Sequence, residues 1–181
     1  MTKMWLFVVV VLLMSPLAHA QGLGTTAPTA TVAVAVNAEA ALTIQTTALT
    51  LTQTGSNFAD YTGTTGFTYF IRTKESGGTG SIVLQVTTDF SNGSGNTPSV
   101  AAPPTNTDTL KYSCSVPSPA TACTGPVQAS TTATTSVASF GTAAHSPKAG
   151  VASSVSWVLS NDPLYPTGTY TATITYTISA A

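Results

Sequence analysis

The residues that could do chemistry are few and far apart. Beyond the first twenty positions there is a single histidine, His145, set between Ala144 and Ser146 in a polar stretch. A serine hydrolase needs a histidine base oriented by a carboxylate and a nucleophile held on a strained turn. Serines are plentiful, but no Gly-x-Ser-x-Gly run occurs. Paired carboxylates for glycoside hydrolysis would have to come from Glu39, Asp60, Glu75, Asp89, Asp108 and Asp162. Most of these stand beside turn residues, where acids are normally solvated, and none forms an evident pair. With the two cysteines read as bonded to each other, a single histidine falls short of the three or four ligands a zinc site wants. Calcium is satisfied by loop carboxylates and carbonyls, so Asp89 with Asn92 and Asn96 leaves calcium binding open, although the alternating acidic spacing of a calcium loop is missing. Asn92-Gly93-Ser94 matches a glycosylation acceptor, a motif common by chance. The expectation is a protein that is no enzyme, with no cofactor, no catalytic residue and no assigned metal.

The first twenty residues read as an export signal. Lys3 supplies the positive start, Trp5 to Met14 (WLFVVVVLLM) is an unbroken apolar run, Ser15-Pro16 breaks it, and Ala18-His19-Ala20 is a small-x-small cleavage site. The apolar run is short of the roughly 20 residues a spanning helix needs. Cleavage is expected between Ala20 and Gln21. Export would place Cys114 and Cys123 in an oxidising compartment, where a close, even pair reads as a disulfide and the missing Cys-x-x-Cys spacing argues against a redox role. The expected location is secreted, either at the cell surface or in the periplasm.

Charged residues make up only 6% of the chain, against a usual quarter or so. After the signal, Arg72, Lys74, Lys111 and Lys148 face six acidic residues. No basic patch exists, so nucleic acid is an unlikely partner on electrostatic grounds. A chain this poor in charge must take its solubility from Thr, Ser, Asn and Gly. Disorder is disfavoured because Val, Ile, Thr, Tyr and Phe recur throughout.

Those residues recur with a period of two, which is the period of a strand. The clearest case is Gly168 to Ser179 (GTYTATITYTIS), where Tyr170, Ala172, Ile174, Tyr176 and Ile178 share one face and threonines the other. Val155, Trp157 and Leu159 form a second stripe. Phe67, Tyr69 and Ile71 form a third and Ile82, Leu84 and Val86 a fourth, separated by KESGGTG, which reads as a hairpin turn. Weaker candidates are Leu42 and Ile44, Leu49 and Leu51, Thr109 to Cys114, Val127 to Ala129, and Thr134 to Phe140. Gln21 to Thr29 reads as a flexible arm, and Ala30 to Val36 (ATVAVAV) as a strand with Val32, Val34 and Val36 on one face. Such a strand either pairs within its own domain or adds to the sheet edge of a neighbouring copy. Ser91 to Asp108, rich in Asn, Gly, Ser and Pro, is expected to be a long exposed loop. No sustained helical period with caps appears. The prediction is an all-β, Ig-like antiparallel sandwich of about eight to ten strands spanning 30–181, with essentially no helix. Trp157, Tyr170, Ile174, Tyr176 and Ile178 are its expected core anchors, meeting across a final hairpin.

The closing segment, VSWVLSNDPLYPTGTYTATITYTIS, resembles the last strands of spore-coat-U-like and fimbrial (pilin-type) domains, whose C-terminal strand runs Gly-x-Tyr and then alternates Thr with apolar residues. Val32 to Val36 falls where those families carry their N-terminal strand. Ser156-Trp157-Val158-Leu159-Ser160 is similar to the Trp-x-Leu signature of WxL cell-wall-binding domains. The first resemblance implies a structural or adhesive bacterial surface protein that self-associates or joins other surface subunits through β-edges. The alternative is a carbohydrate- or cell-wall-binding module that contacts polysaccharide through aromatics such as Tyr61, Phe90 and Tyr165. No integral membrane segment is expected after signal cleavage.

Overall fold

The computed structural model describes residues 30–90, 96–100 and 109–181. The expected signal, its cleavage point at Ala20 and Gln21, the arm over 21–29 and the Asn92-Gly93-Ser94 motif lie outside the described residues. Residues up to Val34 group with the N-terminal segment, and Ala35–Ala181 forms the compact unit described below.

Alternation of apolar and hydroxyl side chains produces ten strands among the described residues, and no helix. In chain order they are β1 (Glu39–Ile44), β2 (Thr52–Gln53), β3 (Tyr61–Arg72), β4 (Gly80–Thr88), β5 (Lys111–Ser115), β6 (Thr121–Ala122), β7 (Val127–Gln128), β8 (Thr135–Phe140), β9 (Val151–Leu159) and β10 (Thr173–Ala180). They form two antiparallel sheets. One runs β1-β3-β9-β5-β7, with β2 also pairing to β3, and the other runs β10-β4-β8-β6. The apolar stripes of both sheets turn inward, as a sandwich requires. Phe67, Tyr69, Ile82, Leu84, Val155 and Trp157 are buried almost completely.

The outer faces carry hydroxyls in register. Ser179, Ser81, Ser139 and Thr121 stand opposite one another across all four strands of the smaller sheet. Thr64, Ser156 and Ser113 do the same on the larger one. Neighbours in these rows hydrogen-bond, Ser81 to Ser179 at 3.1 Å and Thr64 to Ser156 at 3.3 Å.

The β-sandwich expected from the pattern is the fold, but several local expectations are corrected. β3 and β4 do not form a hairpin; they belong to opposite sheets, and the seven-residue connection after β3 crosses between layers. A tight two-residue turn would have held them in one sheet, and this connection is too long to impose that. β9 and β10 likewise lie in different sheets, so Trp157 and Tyr176 approach the core from opposite sides. Leu49 and Leu51 are not in a strand, since only Thr52 and Gln53 pair with β3. Ala30 to Val36 forms no strand either: Val32, Val34 and Val36 are 95%, 84% and 63% exposed. Strand geometry needs a backbone partner, and no ladder pairs this segment among the described residues. The described middle of the Ser91–Asp108 stretch is not exposed, because Thr97, Ser99 and Val100 are buried.

Tyr170 is also corrected. It precedes β10, is half-buried outside the core, and donates its hydroxyl to the Pro166 carbonyl at 2.8 Å. The proline-rich turn captures the tyrosine before the strand begins. Ile174, Tyr176 and Ile178 do face the core, yet remain half-buried because β10 is the last strand of its sheet.

Candidate functional site

The chemistry-bearing residues stay dispersed in the fold. His145 Nε2 lies 3.1 Å from Glu75 Oε1, with both side chains well exposed at the lower end of the sandwich. Arg72 joins Glu39 at 3.0 Å and donates through Nε to the Asn37 carbonyl at 2.7 Å, pinning the chain where it enters β1. Asp89 is a loop clamp. Its Oδ1 accepts from the backbone N–H groups of Phe90 and Val100 at 2.7 and 2.8 Å, and its Oδ2 accepts from the Ser99 hydroxyl at 2.6 Å. Asn96 takes a left-handed backbone conformation, with φ at 62°, and Asn92 lies outside the described residues. Among the described residues no three His, Cys, Asp or Glu side chains cluster as a metal site would require. Cys114 and Cys123 are joined as a disulfide.

What the fold does build is a cleft. Along one lateral edge, β1 and β10 face each other as the outermost long strands of the two sheets. Their inward side chains, Leu42 and Ile44 on one and Ile174, Tyr176 and Ile178 on the other, pack on the core but are only half-covered. Toward the upper end the sheets enclose a cleft of about 290 Å³, lined by Ile44, Leu49, Leu51, Phe90, Trp157 and Tyr176 among others. Trp157 forms its floor and is 1% exposed, with Nε1–H donating to Thr65 Oγ1 at 2.9 Å, so the indole is fixed and its polar atom satisfied. The Tyr176 hydroxyl is buried without a well-aligned hydrogen bond. Burial pushes its pKa up to about 12, with Thr65 holding it down slightly. Burial raises Tyr69 and Tyr112 as well.

The surface-contact residues expected from the sequence are placed differently. Tyr61 and Phe90 are half-buried against the core, with Phe90 turned into the cleft. Tyr165 is half-buried and its hydroxyl is enclosed. They do not form an exposed aromatic strip. The residues missed were Thr65, which positions Trp157, and Gly63, where any side chain would collide with Leu49 and Leu51. Two glycines inside one strand, Gly63 and Gly66, were the available signal, since glycine in a strand interior marks a close approach.

The cleft offers an apolar floor and, beside it, the backbone edge of β10, which pairs on that side with no strand among the described residues. Long edge strands are ordinarily protected by lysine, proline or a mid-strand bulge. β10 has neither residue, and its one register shift falls at its first pair, Thr173/Ile174. β1 also lacks lysine and proline. Such an edge can accept a strand. No protein-family model, no curated protein and no solved structure matches this chain.

Proposed function

We propose that this protein is an exported structural subunit of the bacterial cell surface, assembled from copies of itself by strand addition. The Val32–Val36 segment of one copy enters the open β1/β10 edge of the next. The observation that carries this reading is a mismatch within one chain. A valine stripe with strand periodicity stands almost wholly exposed, while an apolar cleft beside an unprotected strand edge stands uncovered. Fully burying one valine contributes about 1.5–3 kcal/mol, so three valines on alternate positions provide the affinity and the added ladder provides the register. The signal-like first twenty residues, the disulfide and the hydroxyl-rich, weakly charged surface support export. The resemblance of the closing strand to spore-coat-U-like and fimbrial domains supports a place on the cell surface. The polysaccharide-binding alternative relied on Tyr61, Phe90 and Tyr165 as exposed platforms, and all three are half-buried.

The test is the mass of the exported chain by light scattering over a wide concentration range. Wild type is expected to form oligomers that grow with concentration, and the V32S/V34S/V36S chain to stay monomeric. A wild-type chain that remains monomeric throughout, or a triple variant that assembles equally well, overturns the proposal.

A further inference from the structure

On the open side, β3 is paired by β1 along Phe67–Arg72 and by β2 at Tyr61 and Thr62. Between these two pairings runs residues 45–51, which make no ladder with it. Their backbone touches β3 only at Gly66, whose carbonyl accepts from Gln45 N–H at 2.9 Å and Thr46 N–H at 3.4 Å. At Gly63 the contact is made by side chains. A Cβ there would stand 2.8 Å from Leu51 Cδ2 and 3.1 Å from Leu49 Cδ1. Gly63 shares its face with the buried Thr65 and Phe67, so the two leucines fill the inward space that the missing side chain leaves. The same two leucines line the upper cleft beside Trp157, and Leu49 is still 37% exposed.

We infer that residues 46–51 are a strap by which the domain partly occupies its own strand-accepting cleft, with Leu49 and Leu51 as the plug. The inference rests on the strand-addition reading and adds its control. The strap meets the β3 backbone only at Gly66 and otherwise holds its place by side chains, whereas an incoming strand brings both alternating valines and a backbone ladder. Copies therefore stay apart until Leu49 and Leu51 are levered off Gly63, and the strength of this plug sets the concentration at which assembly begins. A plug and a mere lining make opposite predictions, because removing a lining residue weakens binding and removing a competitor tightens it.

The experiment uses the exported V32S/V34S/V36S chain as acceptor and a synthetic peptide of residues 28–38 as donor, followed by tryptophan fluorescence. L49S alone, at a half-exposed position that tolerates a polar side chain, is expected to tighten peptide binding about tenfold, and L51A to act in the same direction. G63A, which pushes on both leucines without removing them, should also tighten it. Unchanged or weaker binding in variants that keep the wild-type β spectrum overturns the strap. If the starting acceptor binds no peptide and the wild-type chain forms no oligomers, the strand-addition reading itself has failed. If only the leucine variants disappoint, the cleft is open by default and the strap alone is wrong.

Discussion

The two lateral edges of this sandwich are built on opposite plans. At one, the outermost strands β7 and β6 are two residues long, too short to template a partner. The disulfide there ties β5 of the larger sheet to the residue that follows β6 of the smaller. The Tyr112 hydroxyl crosses the same gap, within 2.8 Å of both the Thr135 hydroxyl and the Ser136 carbonyl on β8. At the other edge the outermost strands are six and eight residues long, and among the described residues no hydrogen bond or covalent link joins β1 to β10. Closing one side so firmly lets the other stay open without the layers drifting apart. The contrast separates a stapled edge from an open one, the edge to which association is assigned in the proposal.

Four perturbations separate these roles. Trp157→Ala is expected to cost about 3–5 kcal/mol in chemical denaturation, because it removes the largest buried side chain and leaves Thr65 without its donor. It should damage both edges at once, so survival of assembly in that variant would refute a shared floor. Replacing Cys114 and Cys123 together by alanine should cost about 2–3 kcal/mol through loss of loop constraint, read as a lowered denaturant midpoint. Assembly of the still-folded variant is expected to persist, and its loss would show that the stapled edge also takes part.

Ile174→Lys reverses the emphasis. An inward-pointing charge on a half-buried edge position should cost the fold only about 1–2 kcal/mol, since the ammonium can reach water along the cleft, while abolishing oligomers in light scattering. Oligomers of wild-type size in this variant would move the association site elsewhere. The last effect, confined to alkaline solution, is a pH dependence. Tyr176 titrates at about 12 in the fold against about 10 when unfolded, so between these values the folded chain keeps a proton that the unfolded chain releases. Stability is therefore full below pH 10 and declines as pH rises toward 12. In Tyr176→Phe that decline should be shallower in alkaline thermal melts, and an identical slope would mean that Tyr69 and Tyr112 account for all of it.

Strand positions were readable from the sequence wherever alternation was sustained, as in β3, β4, β9 and β10, because parity alone decides which face is buried. Val155, Trp157 and Leu159 needed no structure to be placed in a core. Sheet membership was not readable: Phe67–Ile71 and Ile82–Val86 carry the same inward stripe whether they share a sheet or face each other across the layers. Tyr170 kept the parity of its strand yet left it, since parity does not reveal where a turn claims a residue. The cleft was half visible. Val32, Val34 and Val36 read as a strand that could pair at home or in a neighbouring copy, but the proposed acceptor combines residues from opposite ends of the chain that only the topology brings together. Leu49 and Leu51 looked like a strand by the same alternation, and only the neighbouring glycine explains why they fold inward as side chains instead.

The in-register serines and threonines on the two outer faces carry one more consequence. If copies join by strand addition as proposed, attachment depends on valines and backbone amides, and the exterior offers dissolved electrolyte very little to shield. A layer or fibre built in that way would hold together alike in fresh water and in brine.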